Sequence, residues 1–223
     1  MMLANLLPNV QWETMWAATA ETLYMTGVAV AVTFVLGVIL GLLLFLTAKG
    51  NLWENRLANM TIAAFVNVFR SIPFIILIIL LIPFTKWLVG TMLGANAALP
   101  ALIIGAAPFY ARMVEIALRE IDKGVIEAAK AMGASTWTII WKVLLPESLP
   151  ALVSGITVTA VSLVGYTAMA GVVGAGGLGN LAYLEGFQRS HNDVTFVATV
   201  LVLIIVFVIQ LIGDFVTSKI DKR

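Results

Sequence analysis

From Thr22 to Ala48 the chain carries no charged residue, and from Val28 to Leu46 it is apolar on both parities, relieved only by Thr33, Gly37 and Gly41. A membrane β-strand would alternate with period two, so this run predicts a helix. Uncharged apolar runs recur at Trp87 to Ala111, Ser148 to Leu184 and Val194 to Gly213. A helix rises about 1.5 Å per residue and needs roughly 20 residues to cross hydrocarbon, which each run provides. The pattern predicts spans at about 22–47, 90–112, 150–174 and 194–216. A further span is placed at 58–83. There only 15 uncharged residues separate Arg70 from Lys86, so the helix starts before Arg70, or both cations snorkel outward from a short span.

Five spans give an odd count, and the basic residues orient them. With the N-terminus outside, eleven Lys and Arg side chains fall on the cytoplasmic side, and only Lys86 and Arg189 fall outside. The positive-inside bias selects N-out and C-in. The longest polar stretch between spans, about 118–147, is then cytoplasmic and reads as two short helices. Asp122 opens the first and Gly133 stops it; Ser135 caps the second and Pro146 limits it.

Composition agrees with the pattern. Of 223 residues, 61% are apolar and 11% charged, against about 45–50% and about 25% in soluble domains. The expected class is an all-α integral membrane protein, one transmembrane domain over 1–223. A net charge of +1 implies no bulk attraction to nucleic acid. With no cysteine, disulfides and thiolate chemistry are excluded. The first basic residue is Lys49, so the first hydrophobic segment lacks the cationic flank of a cleavable signal and is expected to persist.

Chemistry-bearing residues are few. No G-x-x-x-x-G-K-[ST] loop occurs, so the chain has no phosphate cradle with which to hydrolyse ATP. The central parts of spans one, four and five carry no ionisable side chain of the kind that proton- or sodium-coupled carriers use. Arg112 and Glu115, three residues apart, can pair near the inner end of span three, structurally or as a proton relay. Gly174, Gly176 and Gly179 match G-x-G-x-x-G, but they end a hydrophobic helix instead of following a sheet strand. They read as a helix terminator and tight turn, or as an outer gate where backbones approach closely. His191 is the one histidine, beside Arg189 and Asp193, and no metal site is expected. Arg70 is an anchor at the inner end of span two, or a structural contact to the cytoplasmic loop or to a soluble partner that supplies energy.

That loop holds the informative motif. Glu127, Ala128 and Ala129, then Gly133, then Leu145 and Pro146, have the spacing of E-A-A, three residues, G, nine residues, I-x-L-P. This resembles the EAA loop of ABC importer permeases, with Val143 where the pattern has isoleucine. Small residues mid-helix allow close approach to a partner's groove; the plainer alternative is an amphipathic interfacial helix.

The resemblance extends through Asn67-Val68-Phe69-Arg70-Ser71-Ile72-Pro73, Gly105 to Phe109, Ala111 to Glu115, Val143 to Glu147, Gly165-Tyr166 and Gly174 to Gly179. Together these look like the methionine-importer permease family. The resemblance implies a type I ABC importer permease fold in a bacterial cytoplasmic (inner) membrane. It also implies a homodimer, two ATP-binding ABC subunits that hold ATP and magnesium, and an extracytoplasmic substrate-binding lipoprotein. This chain itself would bind no cofactor and catalyse nothing. A path for D- or L-methionine would lie between the two copies, with Tyr166 and Met169 lining or gating it if they are not simple helix packing. A permease for another amino acid or small solute, a self-sufficient secondary carrier, and a membrane scaffold remain the alternative classes.

Overall fold

The structure, a computed structural model, describes residues 7–221, and all the regular structure among them is helical. In chain order the helices are α1 (Trp12–Thr47), α2 (Arg56–Ser71), α3 (Phe74–Leu80), α4 (Ile82–Val89), α5 (Ala95–Arg119), α6 (Lys123–Ala131), α7 (Thr136–Ile139), α8 (Leu145–Val172), α9 (Gly177–Leu181) and α10 (Asn192–Ile220). π-helical turns at Ile140–Leu144 and Ala182–Gln188 precede α8 and follow α9. By length and composition four helices can cross a membrane: α1, α5, the run Thr136–Val172, and α10. A fifth crossing results if α2 and α3 count as one span.

The helix bounds depart from the sequence expectation in four places. The segment expected as one span at 58–83 is two helices that change direction by 105°. Pro73 supplies no N–H to the ladder and pushes Ile72 out of the α region, so the chain breaks between Ser71 and Phe74. Helix α1 starts at Trp12, ten residues before 22, because Glu13 and Glu21 end an uncharged run without ending a helix. Residues 90–94 lie in a turn with Gly90 and Gly94 at positive φ, so α5 begins only at Ala95 and continues to Arg119. Pro146 does not limit the helix capped by Ser135. Leu145 N–H bonds back to Ile140 in the wider π register, and the helical run continues through Pro146 into α8.

Backbone contacts divide the chain into two compact units. The first gathers the segments up to Val32, Ile72–Gly105 and Ala160–Gln210; the second gathers Thr33–Ser71, Ala106–Thr159 and the segment from Leu211. The first unit packs Met15 and Ala18 of α1, Val164 of α8, Leu178 of α9, and Val194, Val197 and Ile205 of α10. The core of the second is Phe45 and Leu46 of α1, Tyr110, Val114 and Leu118 of α5, Ala129 of α6, and Ile139, Ile140, Leu144 and Leu152 beyond it.

Lipid tails are as apolar as these side chains, so packing and internal hydrogen bonds hold each unit together. Thr19, Thr22, Thr47, Thr157 and Thr159 return their hydroxyl protons to the carbonyl four residues back, which hides a polar atom inside the helix that bears it.

Candidate coupling surface and pathway residues

In the second unit the loop after α5 is built by two side-chain caps and one glycine. The Asp122 carboxylate accepts the N–H of Gly124 at 2.7 Å and starts α6. The helix ends in a Schellman closure. Gly133 N–H bonds to the Lys130 carbonyl at 2.9 Å and Ala134 N–H to the Ala129 carbonyl at 3.1 Å. That closure needs a left-handed residue, and Gly133 stands at φ +78°. Two residues on, Ser135 Oγ accepts the N–H of Thr138 at 3.2 Å and starts α7.

The motif residues divide between two faces. Ala129 is buried in the core of the second unit, and Leu145 packs partly against it with Ile126 and Ala134. Glu127, Ala128, Gly133 and Pro146 are exposed. The same loop exposes further apolar groups: Val125, Met132 at 82% exposure, Trp137 at 64% and Trp141. The two tryptophan rings meet edge to face at 5.7 Å. Sequence reasoning missed these four side chains. The available signal was a second apolar face at 125, 128 and 132, on a nine-residue helix that already spends 126 and 129 on its core.

Above this loop Glu115, 2% exposed, receives both Arg112 and Arg119, the latter at 2.6 Å. The pair anticipated from the sequence is therefore a triad. One carboxylate offers two oxygens, and each arginine takes one while reaching solvent with the rest of its fork. Tyr110, fully buried, donates its hydroxyl to the Leu152 carbonyl at 3.1 Å and ties α5 to α8 within this unit.

The pathway candidates lie in the first unit. Tyr166 lays its ring flat on Phe74, with centroids 4.5 Å apart and planes within 4°. Met169, one turn along, is 46% exposed. The glycine-rich turn beyond them joins α8 to α9 at close quarters. A Cβ on Gly179 would lie 2.4 Å from both Cα and the carbonyl oxygen of Ala168. The start of α9 is capped from α1: Glu21 accepts Gly177 N–H at 2.7 Å and Thr22 accepts Leu178 N–H at 2.9 Å. The turn is thus both a helix terminator and a place of close backbone approach.

Among the described residues no group of three His, Cys, Asp or Glu side chains is placed to hold a metal ion.

Comparison with known proteins bears on the whole chain. The model of the family described as binding-protein-dependent transport system inner membrane components matches residues 33–223. The methionine import system permease protein MetP of Bacillus subtilis (strain 168) is 69% identical over 222 residues, covering 100% of both chains. The D-methionine transport system permease protein MetI of Escherichia coli (strain K12) is 54% identical over 151 residues, 68% of this chain and 70% of that one. Among solved structures, a chain of the MetNI methionine ABC transporter in an inward-facing conformation superposes with a TM-score of 0.93 at 47% identity, covering 95% of this chain and 98% of that chain.

Proposed function

Because the chain belongs to the family of binding-protein-dependent transport system inner membrane components, we propose that it is the permease subunit of an ATP-driven importer and forms the path by which methionine enters the cytoplasm. The observation that carries this reading is the α6 to α7 element. It is a helix fixed at both ends, with its Ala129 face sunk in the core and its Ala128 face left apolar and open. Such a face suits a groove on a soluble partner, and a helix of nine residues is about 14 Å of rigid lever.

In this reading the chain is one permease domain, N-out and C-in, crossing the membrane with α1, the bent pair α2 and α3, α5, the run Thr136–Val172 and α10, and with the loop at 118–147 in the cytoplasm. It works as two copies with two ATP-binding subunits beneath and a substrate-binding lipoprotein outside. ATP and magnesium belong to the partner. Closure of the ATP-binding subunits draws the two α6 helices together and turns the spans outward-open; hydrolysis returns them. Contacts that differ between the two states supply the drive, since a ligand shifts an equilibrium only by its differential affinity. Glu127, Ala128, Ala129, Gly133, Leu145 and Pro146 form and support the coupling element. Met169 reaches the path, and Tyr166 holds the wall behind it by its stack on Phe74.

The test is complementation. A methionine auxotroph lacking its own importer, given this chain with its ATP-binding and substrate-binding partners, is expected to take up methionine. Failure to grow on methionine with all three proteins present in the membrane fraction would overturn the reading. Within the same assay, Met169→Ala is expected to change the preference among amino acids, and unchanged selectivity removes that residue from the path.

A further inference from the structure

The first unit contains a second feature that the coupling reading leaves unused. A cleft of about 330 Å³ opens between the chain leading into α1 and the segment from α9 to α10. It sits at the lower end of the roughly 300–1,000 Å³ typical of small-molecule sites. We infer that this cleft is an entry subsite for a free α-amino acid, with Arg189 taking its carboxylate, Glu185 its ammonium group and an apolar floor its side chain.

The lining carries that chemistry. Arg189 Nη1 and Glu185 Oε2 lie 2.9 Å apart, one contact between groups with far more capacity. A guanidinium has five N–H donors and a carboxylate about four acceptor sites, so the pair can stay joined and still engage both ends of a zwitterion. Both side chains line the cleft, at 67% and 33% exposure. His191, also in the lining, has its Nδ1 4.0 Å from the same Glu185 oxygen. The floor is Met15 and Val194, both buried, with Leu181 packed against them. Polarizable and branched groups of this kind accept an unbranched thioether or aliphatic side chain. The edge is fixed in place. Asn9 donates its backbone N–H to Asp193 at 2.8 Å and its amide to the other oxygen at 3.2 Å, which pins the chain before α1 to the start of α10. The positive-inside count puts Arg189 on the outer side, where an imported solute arrives.

This inference rests on the proposed import of an amino acid, and the two can fail separately. The measurement is equilibrium binding of radiolabelled L-methionine to the permease–ATPase complex in lipid nanodiscs, without the extracytoplasmic binding protein. Saturable binding is expected, displaced by norleucine and by neither 3-(methylthio)propylamine nor 4-(methylthio)butanoate, which lack one charge each. Arg189→Gln and Glu185→Gln are expected to weaken it about tenfold or more, the scale of a lost charged hydrogen bond. Thr14→Trp, an exposed position on the cleft wall, is expected to abolish binding without touching either charge. Absence of saturable binding, or binding indifferent to all three variants, overturns the inference while leaving wild-type uptake, and so the import reading, intact. Variants that weaken capture of the binding protein and leave methionine binding unchanged also overturn it, because the cleft is then a protein-docking surface.

Discussion

Ala134 closes its backbone N–H onto the carbonyl of Ala129 at 3.1 Å, so the third residue of the E-A-A sequence is both a core side chain and the acceptor that ends its own helix. The motif is read from one strand of sequence, yet its parts do different work. Ala129 anchors, Ala128 faces out, and Gly133 makes the turn between them and α7.

The turn can be tested at Gly133. No atom lies within 4 Å of a Cβ built there, so the cost of a side chain comes from φ +78° alone. A left-handed non-glycine residue costs roughly 1–2 kcal/mol. Gly133→Arg is therefore expected to insert and express nearly as the parent chain does, while losing most methionine uptake because the lever is misdirected. Uptake per unit of membrane protein is the measurement, and uptake at the parent rate would show that the turn angle does not matter.

Ala128 tests the face. The residue is exposed, so Ala128→Glu leaves the core of the second unit alone while putting a carboxylate on the helix face that carries Val125 and Met132. Copurification of the ATP-binding subunit is expected to fall about tenfold or more, with the thermal midpoint of the permease unchanged. Trp137→Ala should act in the same direction, since exposed tryptophans at interfaces contribute on the order of 2 kcal/mol or more when buried by a partner. Retention of the subunit at full stoichiometry in both variants would move the docking surface elsewhere.

Glu115 tests the triad. With Glu115→Ala, two guanidiniums lose their shared acceptor, at a cost of about 1–3 kcal/mol; their solvent exposure keeps it below the roughly 3–5 kcal/mol of a fully buried broken pair. A drop of several degrees in the melting temperature of the detergent-solubilised chain is expected. Glu115→Gln keeps one acceptor oxygen and should fall between. If proton relay were its role, Glu115→Gln would stop uptake without altering the melt.

Two glycines separate packing from flexibility. Gly179→Ala drives a methyl into the Ala168 backbone, which cannot yield as a side-chain end would, so a loss of about 1–3 kcal/mol or more is expected. Gly165→Ala has open space and lies within α8, where alanine is favoured by roughly 0.5–1 kcal/mol. Thermal unfolding of the two variants in parallel should show opposite signs. Equal effects would place the strain outside the α8 to α9 contact.

What the sequence by itself determined is local in origin. Hydropathy located α1, α5, α8 and α10, because crossing hydrocarbon demands a long uncharged run wherever it occurs. Asp122, Gly133 and Ser135 announced the ends of α6 and the start of α7, since a cap acts on backbone two or three residues away. Arg112 and Glu115 were legible as neighbours on one turn. The tertiary structure decided what lies beyond that range. It sorted Ala129 inward and Ala128 outward, which composition does not distinguish. It brought Glu21 and Thr22 to cap Gly177 and Leu178 from 156 residues away, and Asn9 to Asp193 across 184. It also carried the helical run through Pro146, where a stop had been expected, by way of a π turn just before it. Short-range chemistry is written in residue order, whereas which faces meet depends on how the helices pack once all of them are present.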